Sequence, residues 1–456
     1  QEQVLKSGEP LKTASDLSPR QQTAIDRIYE HDRTMLIAPT GAGKTVITLT
    51  AIDELLKNKQ LKKVLVVAPA KVVPNWAREQ DSWEHINLRV AGGTGIAAVT
   101  QMLTQSLDVL VTSYESLPLV LKAKHNCDGI VLDEVTRMKA SGGKVFKKLR
   151  HQIKKFPWRV GMSATPLSEN FQAVYAMTLL LDDGERFGRS KDRFMQTFFF
   201  SLDHLGRQWR IQPGADKEIT EKLSDLVHII PESDKREQMP APVTTTIELE
   251  ALPEELKIIE EELTENYLTS IGTDEVVVAN AAVLSGKLRQ LAQGFLYQDG
   301  EPFLLWDGRF NAVEEIIRSK KGAVICSFEF SICIPELLKR FPDADVISGK
   351  TSKAEFNEIM GRWRAGHGKL LFLQIKAGSH GLDGLQNSCH QLINFAPGWS
   401  GDATEQLIGR LDRTGQKHQV EVTNLIVKKT IDILMMHRLE TKRSVFRTFL
   451  EILRTE

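Results

Sequence analysis

The chain has few cysteines, and their spacing argues against the commoner cysteine-based sites. It contains four, Cys127, Cys326, Cys333 and Cys389, and no two of them form a Cys-x-x-Cys pair. Scattered single cysteines disfavour a structural metal site or a disulfide framework. We therefore expect Cys326 and Cys333 to be core residues of a protein from a reducing compartment.

Long apolar runs are also missing, as is an excess of charge of one sign. No segment approaches the roughly eighteen consecutive apolar residues of a membrane-spanning helix, and no signal peptide is visible. We therefore expect a cytoplasmic protein, or one that lies with DNA in a nucleoid or nucleus. Lysine plus arginine equals aspartate plus glutamate, at 59 each, so a polyanionic partner would have to bind a local basic patch.

The length and the pattern of apolar residues predict the fold class. A chain of 456 residues is long enough for two or three domains with separate cores. In the first half, short apolar runs alternate with helical patterns, which indicates a parallel, doubly wound α/β sheet. Ligands of such sheets bind at the carboxyl ends of the strands. The candidate strands are 35–38, 64–68, 109–112, 129–132 and 159–162.

A phosphate-binding loop is predicted at residues 38–45, which read Ala-Pro-Thr-Gly-Ala-Gly-Lys-Thr between an apolar run and a helical pattern. This is the P-loop arrangement, although Ala38 replaces the glycine of the strictest pattern. Lys44 would reach the β and γ phosphates of ATP, and the Thr45 hydroxyl would ligate Mg²⁺. The residues assigned to nucleotide binding here are Thr40, Gly41, Gly43, Lys44 and Thr45.

A pair of carboxylates, Asp133 and Glu134, follows the apolar run 129–132. A first carboxylate at such a strand end can hold Mg²⁺, usually through water, and a second can orient and polarise the attacking water. We assign Asp133 to the metal, together with Thr45, and Glu134 to catalysis. Such pairs are often solvated loops, but a P-loop about ninety residues upstream favours the catalytic interpretation.

Further segments follow the order of a known set of motifs. Six segments of this chain resemble the motifs of superfamily two helicases and translocases, which are motors that run on nucleic acids. The segments are 17–21, 66–76, 111–115, 161–166, 376–383 and 406–416. The resemblance implies an α/β fold of two RecA-like, doubly wound parallel-sheet lobes with helical insertions between them.

The same resemblance implies roles for residues in these motifs. Gln21 would contact the adenine base, and Asp383 would belong to the nucleotide site. Gln406, Arg410 and Arg413 would act in catalysis. Arg410 and Arg413 lie three residues apart on one helix face, from which an arginine finger can neutralise charge on the γ-phosphate once the lobes close. The residues that would contact the nucleic-acid backbone are Pro69, Ala70, Thr112, Ser113, Lys376, Ala377 and Gly378.

Within the superfamily, the chain is most similar to the Swi/Snf-type ATPases. Arg-Thr-Gly-Gln-Lys at 413–417 and Pro-Asn-Trp at 74–76 resemble these enzymes. Val135 and Thr136 after the carboxylate pair, and Ser-Ala-Thr at 163–165, depart from their usual pattern. We therefore interpret the chain as a compact, divergent motor that resembles phage or prokaryotic helicases remodelling branched DNA.

The resemblance also implies a domain organisation. We predict a first ATP-binding lobe at 1–228, a helical insertion or linker at 229–300 and a second lobe at 301–456. Helical patterns at 253–268 and 283–296 fit the helical protrusions of Swi/Snf-type motors. The buried strands predicted for the second lobe are 323–328, 370–373 and 391–395.

The predicted function is an ATP-dependent DNA translocase or helicase, with an RNA helicase and an ATP-gated binding switch as alternatives. The expected partner is duplex, forked or branched DNA, bound by a protein that is a monomer in solution. Segment 137–155 carries eight basic residues and no acidic one, so it is either a phosphate-contacting patch or a solvated face. Three tryptophans are interpreted as packing residues, namely Trp76, Trp83 and Trp158.

Overall fold

Two compact units make up the part of the chain that the computed structural model describes. That part comprises residues 11–164, 171–202, 209–231, 240–269, 274–298, 301–375, 384–398, 401–413 and 415–437, with residues 382 and 440. The first unit ends before residue 236, where the second begins. Each unit has its own parallel sheet, as the predicted fold class requires.

The first unit contains a seven-stranded parallel sheet and a small antiparallel hairpin. Its strands are β1 (Arg33–Ile37), β2 (Val64–Ala68), β3 (Val90–Gly93), β4 (Val109–Ser113), β5 (Gly129–Asp133), β6 (Trp158–Ser163), β7 (Phe199–Ser201), β8 (Trp209–Ile211) and β9 (Val227–Ile229). The parallel sheet has the order β3-β4-β2-β5-β6-β1-β9, and β7 pairs with β8. The five strands predicted for this half are confirmed, with ends that differ by at most two residues.

Nine helices connect these strands within the described part of the first unit. They are α1 (Pro19–Glu30), α2 (Lys44–Lys57), α3 (Val73–Gln80), α4 (Gly95–Leu103), α5 (Leu117–Lys122), α6 (Lys144–Gln152), α7 (Gln172–Asp182), α8 (Lys191–Phe198) and α9 (Ala215–Glu221). The helices cover both faces of the sheet. In β2, for example, Leu65 and Val67 join one buried cluster, whereas Val64 and Val66 join the other. Burial on both faces explains why these strands are apolar at nearly every position.

The second unit repeats this design with a six-stranded parallel sheet of order β10-β17-β16-β13-β15-β14 and a hairpin of β11 and β12. Its strands are β10 (Val243–Leu249), β11 (Phe295–Gln298), β12 (Glu301–Leu304), β13 (Ala323–Phe328), β14 (Asp345–Ile347), β15 (Leu370–Gln374), β16 (Cys389–Asn394) and β17 (Glu421–Val427). Its described helices are α10 (Glu254–Thr269), α11 (Asp274–Ala292), α12 (Gly308–Ser319), α13 (Cys333–Arg340), α14 (Lys353–Arg364) and α15 (Gly401–Leu411). The three strands predicted for this half are confirmed.

One helix prediction needs correction. The helix predicted at 253–268 is present as α10, but the one predicted at 283–296 is part of α11, which ends at Ala292. Gly294 then turns the chain with φ +91°, and Phe295 begins β11. The apolar residues after Ala292 continue the helical pattern in sequence, but the glycine redirects them into a strand. The domain bounds stay a prediction, to which the structure adds that β10, within 229–300, pairs with β17.

The cysteines and helices agree with the compositional expectations. Cys326 and Cys333 are fully buried thiols, and burial raises the pKa of Cys326 to about 12. Their role as core residues is therefore confirmed. Across the described ranges, every helix is too short or too polar to cross a membrane.

Candidate functional site

Three of the predicted motifs lie together at one edge of the first sheet. Strands β5, β6 and β1 are neighbours, so their carboxyl ends meet there. Asp133 pairs with Met162, and Ile37 pairs with Ser163. The backbone N–H of Ala38, which opens the P-loop, donates to the Ser163 carbonyl at 3.1 Å. The sheet order thus brings the loop and the carboxylates to one site, although about ninety residues separate them in sequence.

The P-loop needs glycine at two positions for conformational reasons. Gly41 and Gly43 have φ angles of +84° and +82°, in the left-handed region that residues with a Cβ rarely adopt. A Cβ on Gly43 would also lie 2.4 Å from Gln21 Nε2. Gly43 is the N-cap of α2, and Lys44 is its first residue. The loop therefore ends at the positive end of a helix dipole, an arrangement that favours a bound anion.

Lys44 folds back across the loop. Its Nζ donates to the carbonyl oxygens of Ala38 at 2.8 Å and Pro39 at 3.3 Å. Thr45 follows in the first turn of α2 and is half-buried, as is Thr40 within the loop. Two carbonyl oxygens thus hold the Lys44 ammonium group at the start of the loop. Residues Thr40, Gly41, Gly43, Lys44 and Thr45 are all brought to this one place.

Gln21 reaches the same loop from α1. Its Nε2 donates to the Ala42 carbonyl at 3.0 Å, and its Oε1 accepts from the backbone N–H of Ser18 at 2.8 Å. Ser18 and Gln21 form the capping box at the start of α1. The amide therefore holds the loop in the described structure. Its contact with an adenine base stays a prediction.

Asp133 is buried at the end of β5 and has two stabilising neighbours. Trp76, which is buried in α3, donates its indole N–H to Asp133 Oδ2 at 3.1 Å. Burial raises the pKa of the Asp133 carboxyl, and the charge of Lys44 and the Trp76 hydrogen bond partly oppose this rise. Asp133 therefore lies within electrostatic reach of the P-loop lysine, where a cation would favour its ionised form.

Glu134 has an unusual backbone conformation, with φ 56° and ψ 58° in the left-handed region. The hydroxyl of Tyr114 donates to the Asp133 carbonyl at 2.8 Å and lies 3.3 Å from the Glu134 carbonyl. Tyr114 is buried, and the guanidinium of Arg137 lies 5.6 Å from the centre of its ring. A tyrosine from the segment after β4 thus contacts both residues of the carboxylate pair through their backbone.

The predicted backbone-contacting residues of the first unit lie at the carboxyl ends of two adjacent strands, β2 and β4. Pro69 and Ala70 follow β2, whereas Thr112 and Ser113 are the last two residues of β4. Ala70 is exposed, but Pro69, Thr112 and Ser113 are buried. Thr112 Oγ1 donates to the Gly93 carbonyl at 3.1 Å, and Ser113 Oγ donates to Ser116 Oγ at 3.2 Å. These hydroxyls form hydrogen bonds inside the protein. A nucleic acid bound here would therefore have to contact the exposed parts of the same segments. The assignment itself stays a prediction.

The basic segment 137–155 is only partly available to a ligand. Arg137 pairs with Glu115 at 3.1 Å, and Lys154 pairs with Asp183 at 3.7 Å. Three lysines of α6 are exposed and, within the residues that the structure describes, have no hydrogen-bond or ion-pair partner, namely Lys144, Lys147 and Lys148. Their spacing of three and four places them on one face of the helix, opposite the buried Phe146 and Leu149.

In the second unit, α15 carries the predicted finger residues. Leu407 and Leu411 are buried and fix one side of the helix, whereas Gln406 and Arg410 are half-buried. Arg410 lies in the last turn of α15, which ends at Leu411, and Arg413 follows just beyond the helix. The prediction that the two arginines share one helix face is therefore wrong, because the helix ends between them; both leave the same end of α15.

Gln416, from the same motif, has a structural role that the sequence did not show. Its Nε2 donates to the carbonyls of Cys389 and Leu411 at 2.8 and 3.2 Å. Its Oε1 accepts from the backbone N–H groups of Lys417 and His418 at 3.0 and 3.1 Å. This buried amide ties the end of α15 to β16, and so fixes the segment from which Arg413 projects. Four further assigned residues lie outside the described residues, namely Lys376, Ala377, Gly378 and Asp383.

Comparison with protein families agrees with this arrangement. The model of the SNF2-related domain matches residues 21–292, and that of the helicase conserved C-terminal domain matches residues 308–415. The first match alone covers more than half of the chain. The chain belongs to the SNF2-related family. This family consists of Swi/Snf-type ATPases, so the resemblance found in the sequence is confirmed.

Individual relatives of this SNF2-related chain are distant. Protein p41 of Acyrthosiphon pisum secondary endosymbiont phage 1 is 27% identical over 96% of this chain and 98% of its own length. A DNA repair and recombination protein RAD54-like from Drosophila ananassae is 22% identical over 95% of this chain and 63% of its own length. The solved SWI2/SNF2 ATPase core of Sulfolobus solfataricus in complex with dsDNA is 21% identical over 97% of this chain and 94% of that one, with a TM-score of 0.45.

The first unit of this SNF2-related ATPase fits a magnesium-bound nucleotide. Gly41 and Gly43 allow the left-handed backbone of the loop, Lys44 and the start of α2 supply positive charge, and Asp133 supplies a buried carboxylate. Sequence reasoning missed two supporting residues, Trp76 and Tyr114. Trp76 was interpreted as a packing residue, and Tyr114 was noted only within its motif. The sequence did hold one signal for both residues: each is an aromatic residue with an N–H or O–H donor close to the end of a predicted strand.

Proposed function

We propose that the chain hydrolyses ATP and couples the hydrolysis to movement along DNA or to the remodelling of duplex or branched DNA. The observation that carries the proposal is the juxtaposition of the P-loop and Asp133 at neighbouring strand ends, β1, β6 and β5. The family supplies the ATPase expectation. That the polymer is DNA, that DNA stimulates the hydrolysis and that the protein moves along DNA are parts of the proposal.

In this proposal the loop N–H groups and Lys44 bind the phosphates, and Thr45 with Asp133 holds Mg²⁺. The metal would neutralise phosphate charge when bound. Trp76 keeps the Asp133 carboxylate in one orientation through its 3.1 Å hydrogen bond. Burial raises the pKa of the Asp133 carboxyl because its negative charge is desolvated. A cation bound beside this carboxyl would offset the desolvation and stabilise the ionised form.

Glu134 is proposed to orient the attacking water and to accept its proton. It is the residue next to the metal-binding carboxylate, and its left-handed backbone turns it out of the strand direction of β5. Arg410 and Arg413 are proposed to neutralise charge that develops on the transferred phosphoryl group, and Gln406, one turn before Arg410 on α15, is proposed to act with them.

DNA is proposed as the polymer for two reasons. The RAD54-like relative is named as a DNA repair and recombination protein. In addition, the unpaired lysines on α6 provide local positive charge on a chain with no net charge. Phosphate contacts of this kind position a protein on DNA without reading its sequence.

The proposal is tested by ATPase rates measured without polymer and with single-stranded DNA, duplex DNA, forked DNA and RNA at matched phosphate concentration. We expect Mg²⁺-dependent hydrolysis that duplex or forked DNA stimulates most. Stimulation by RNA alone would favour an RNA helicase. Hydrolysis with no response to any polymer would contradict a motor, and a DNA-stimulated ATPase that does not displace a triplex-forming strand would indicate a binding switch.

A further inference from the structure

Side-chain contacts join the carboxylate pair to the turn after β4, and further hydrogen bonds fix that turn. The Ser116 hydroxyl accepts from the Gly95 backbone N–H at 2.9 Å and from Ser113 Oγ at 3.2 Å, so the turn is fixed at its base. Tyr114, between these serines, then extends to the Asp133 and Glu134 carbonyls. Glu115 on the same turn pairs with Arg137, three residues beyond Glu134.

The Glu134 backbone needs such support. Among the described non-glycine residues, only five have positive φ, and Glu134 is the one beside the proposed water-activating chemistry. A residue with a Cβ pays steric strain in this region, so neighbouring contacts must hold it there. The Tyr114 hydroxyl is placed to do so, because it contacts the carbonyls of the two peptide groups that flank Glu134, those of Asp133 and of Glu134 itself.

The surroundings of the Tyr114 ring fix its position. The ring is buried, the Arg137 guanidinium lies 5.6 Å from its centre, and Leu117 and Val120 belong to the same buried cluster. The hydroxyl donor is therefore confined to one place.

We propose that Tyr114 is a positioning residue that holds Glu134 in its hydrolytic geometry and links that geometry to the turn 112–116. This inference rests on the proposed function, since it assumes that Glu134 activates water and that this turn meets the polymer. Tyr114 acts through the backbone of Glu134, so DNA that displaces or stiffens the turn alters the orientation of the Glu134 carboxylate.

The test uses Tyr114→Phe, which removes only the hydroxyl, in the full-length protein. Its matched control is Tyr175→Phe, because Tyr175 is a buried tyrosine of the same unit whose hydroxyl has no hydrogen-bond partner in the described part of the chain. For Tyr114→Phe we expect the duplex-stimulated kcat to fall about tenfold, the scale of one lost buried hydrogen bond. The KM for ATP should match that of the control, whereas the thermal unfolding midpoint should fall by only a few degrees below it, as one lost buried hydrogen bond predicts.

A double-mutant cycle shows whether the effect passes through Glu134. In a Glu134→Gln background, single-turnover hydrolysis should be the same with tyrosine or phenylalanine at position 114. Equal kcat values for Tyr114→Phe and Tyr175→Phe would overturn the inference, as would a raised KM with unchanged kcat or an undiminished effect in the Glu134→Gln background. A wild-type protein without ATPase activity would overturn the proposed function itself, which the wild-type measurement shows before any variant is made.

Discussion

Neutralising the unpaired lysines of α6 tests whether this helix contacts a DNA backbone. The perturbation is the triple substitution Lys144→Gln, Lys147→Gln and Lys148→Gln. All three side chains are exposed, and none has an ion-pair partner within the described residues. The substitutions leave the buried anchors Phe146 and Leu149 unchanged, so we expect the fold and its stability to be preserved.

The magnitude follows from counterion release. Each cation that contacts a phosphate of duplex DNA contributes about 0.9 to the slope of log affinity against log salt concentration. Three contacts from α6 would therefore reduce the steepness of that slope by about 2.7, and two contacts by about 1.8. Sequence preference should stay unchanged, because phosphate contacts carry no base information.

The assay is fluorescence anisotropy of a labelled duplex, titrated at several salt concentrations. The matched control removes the same net charge from three lysines that are at least partly exposed and already have acidic partners, Lys222, Lys257 and Lys428. We expect the control to retain the wild-type slope. An α6 triple variant with the wild-type slope, or a control with an equal reduction, would refute the assignment of α6 to the DNA interface.

Three further variants test other parts of the account. Gly43→Ala should weaken ATP binding measured by calorimetry, because Gly43 has φ +82°, a conformation that alanine adopts only with strain; unchanged affinity would contradict this. Arg413→Ala should keep ATP and DNA affinities but lose DNA-stimulated turnover by on the order of a thousandfold; unchanged stimulation would exclude a finger role. Asp432→Ala removes the ion-pair partner of the buried Arg309, so urea unfolding should show about 3–5 kcal/mol of destabilisation, against under about 1 kcal/mol for Glu358→Gln in the exposed pair with Arg362; similar losses would contradict the buried-pair argument.

Local patterns were enough to predict the elements that carry the site. The buried strands are apolar on both faces, so their sequence signal is strong, and Gly41 and Gly43 mark the loop because only glycine adopts its conformation easily. The same local reasoning failed after Ala292. There, apolar residues that continue a helical pattern form a strand instead. Gly294 turns the chain, and Phe295 packs in a hydrophobic core of the second unit.

The supporting contacts could not be predicted, because they depend on sheet order. Trp76 and Asp133 are 57 residues apart in sequence, and Tyr114 and Asp133 are 19 apart. They meet because β2, which precedes α3, and β4 lie on one side of β5 in the sheet. The contacts of Gln416 could not be predicted either. It lies in the motif that carries the predicted arginine finger, but its own amide is buried and holds the chain after α15.

The central claim is that the first unit hydrolyses ATP with Glu134 activating water and Lys44 binding phosphate. The direct measurement compares ATP binding and duplex-stimulated hydrolysis in wild type, Glu134→Gln and Lys44→Ala. The account predicts that Glu134→Gln binds magnesium ATP with nearly wild-type affinity while its hydrolysis collapses, and that Lys44→Ala loses binding. Hydrolysis by Glu134→Gln at the wild-type rate would contradict the account.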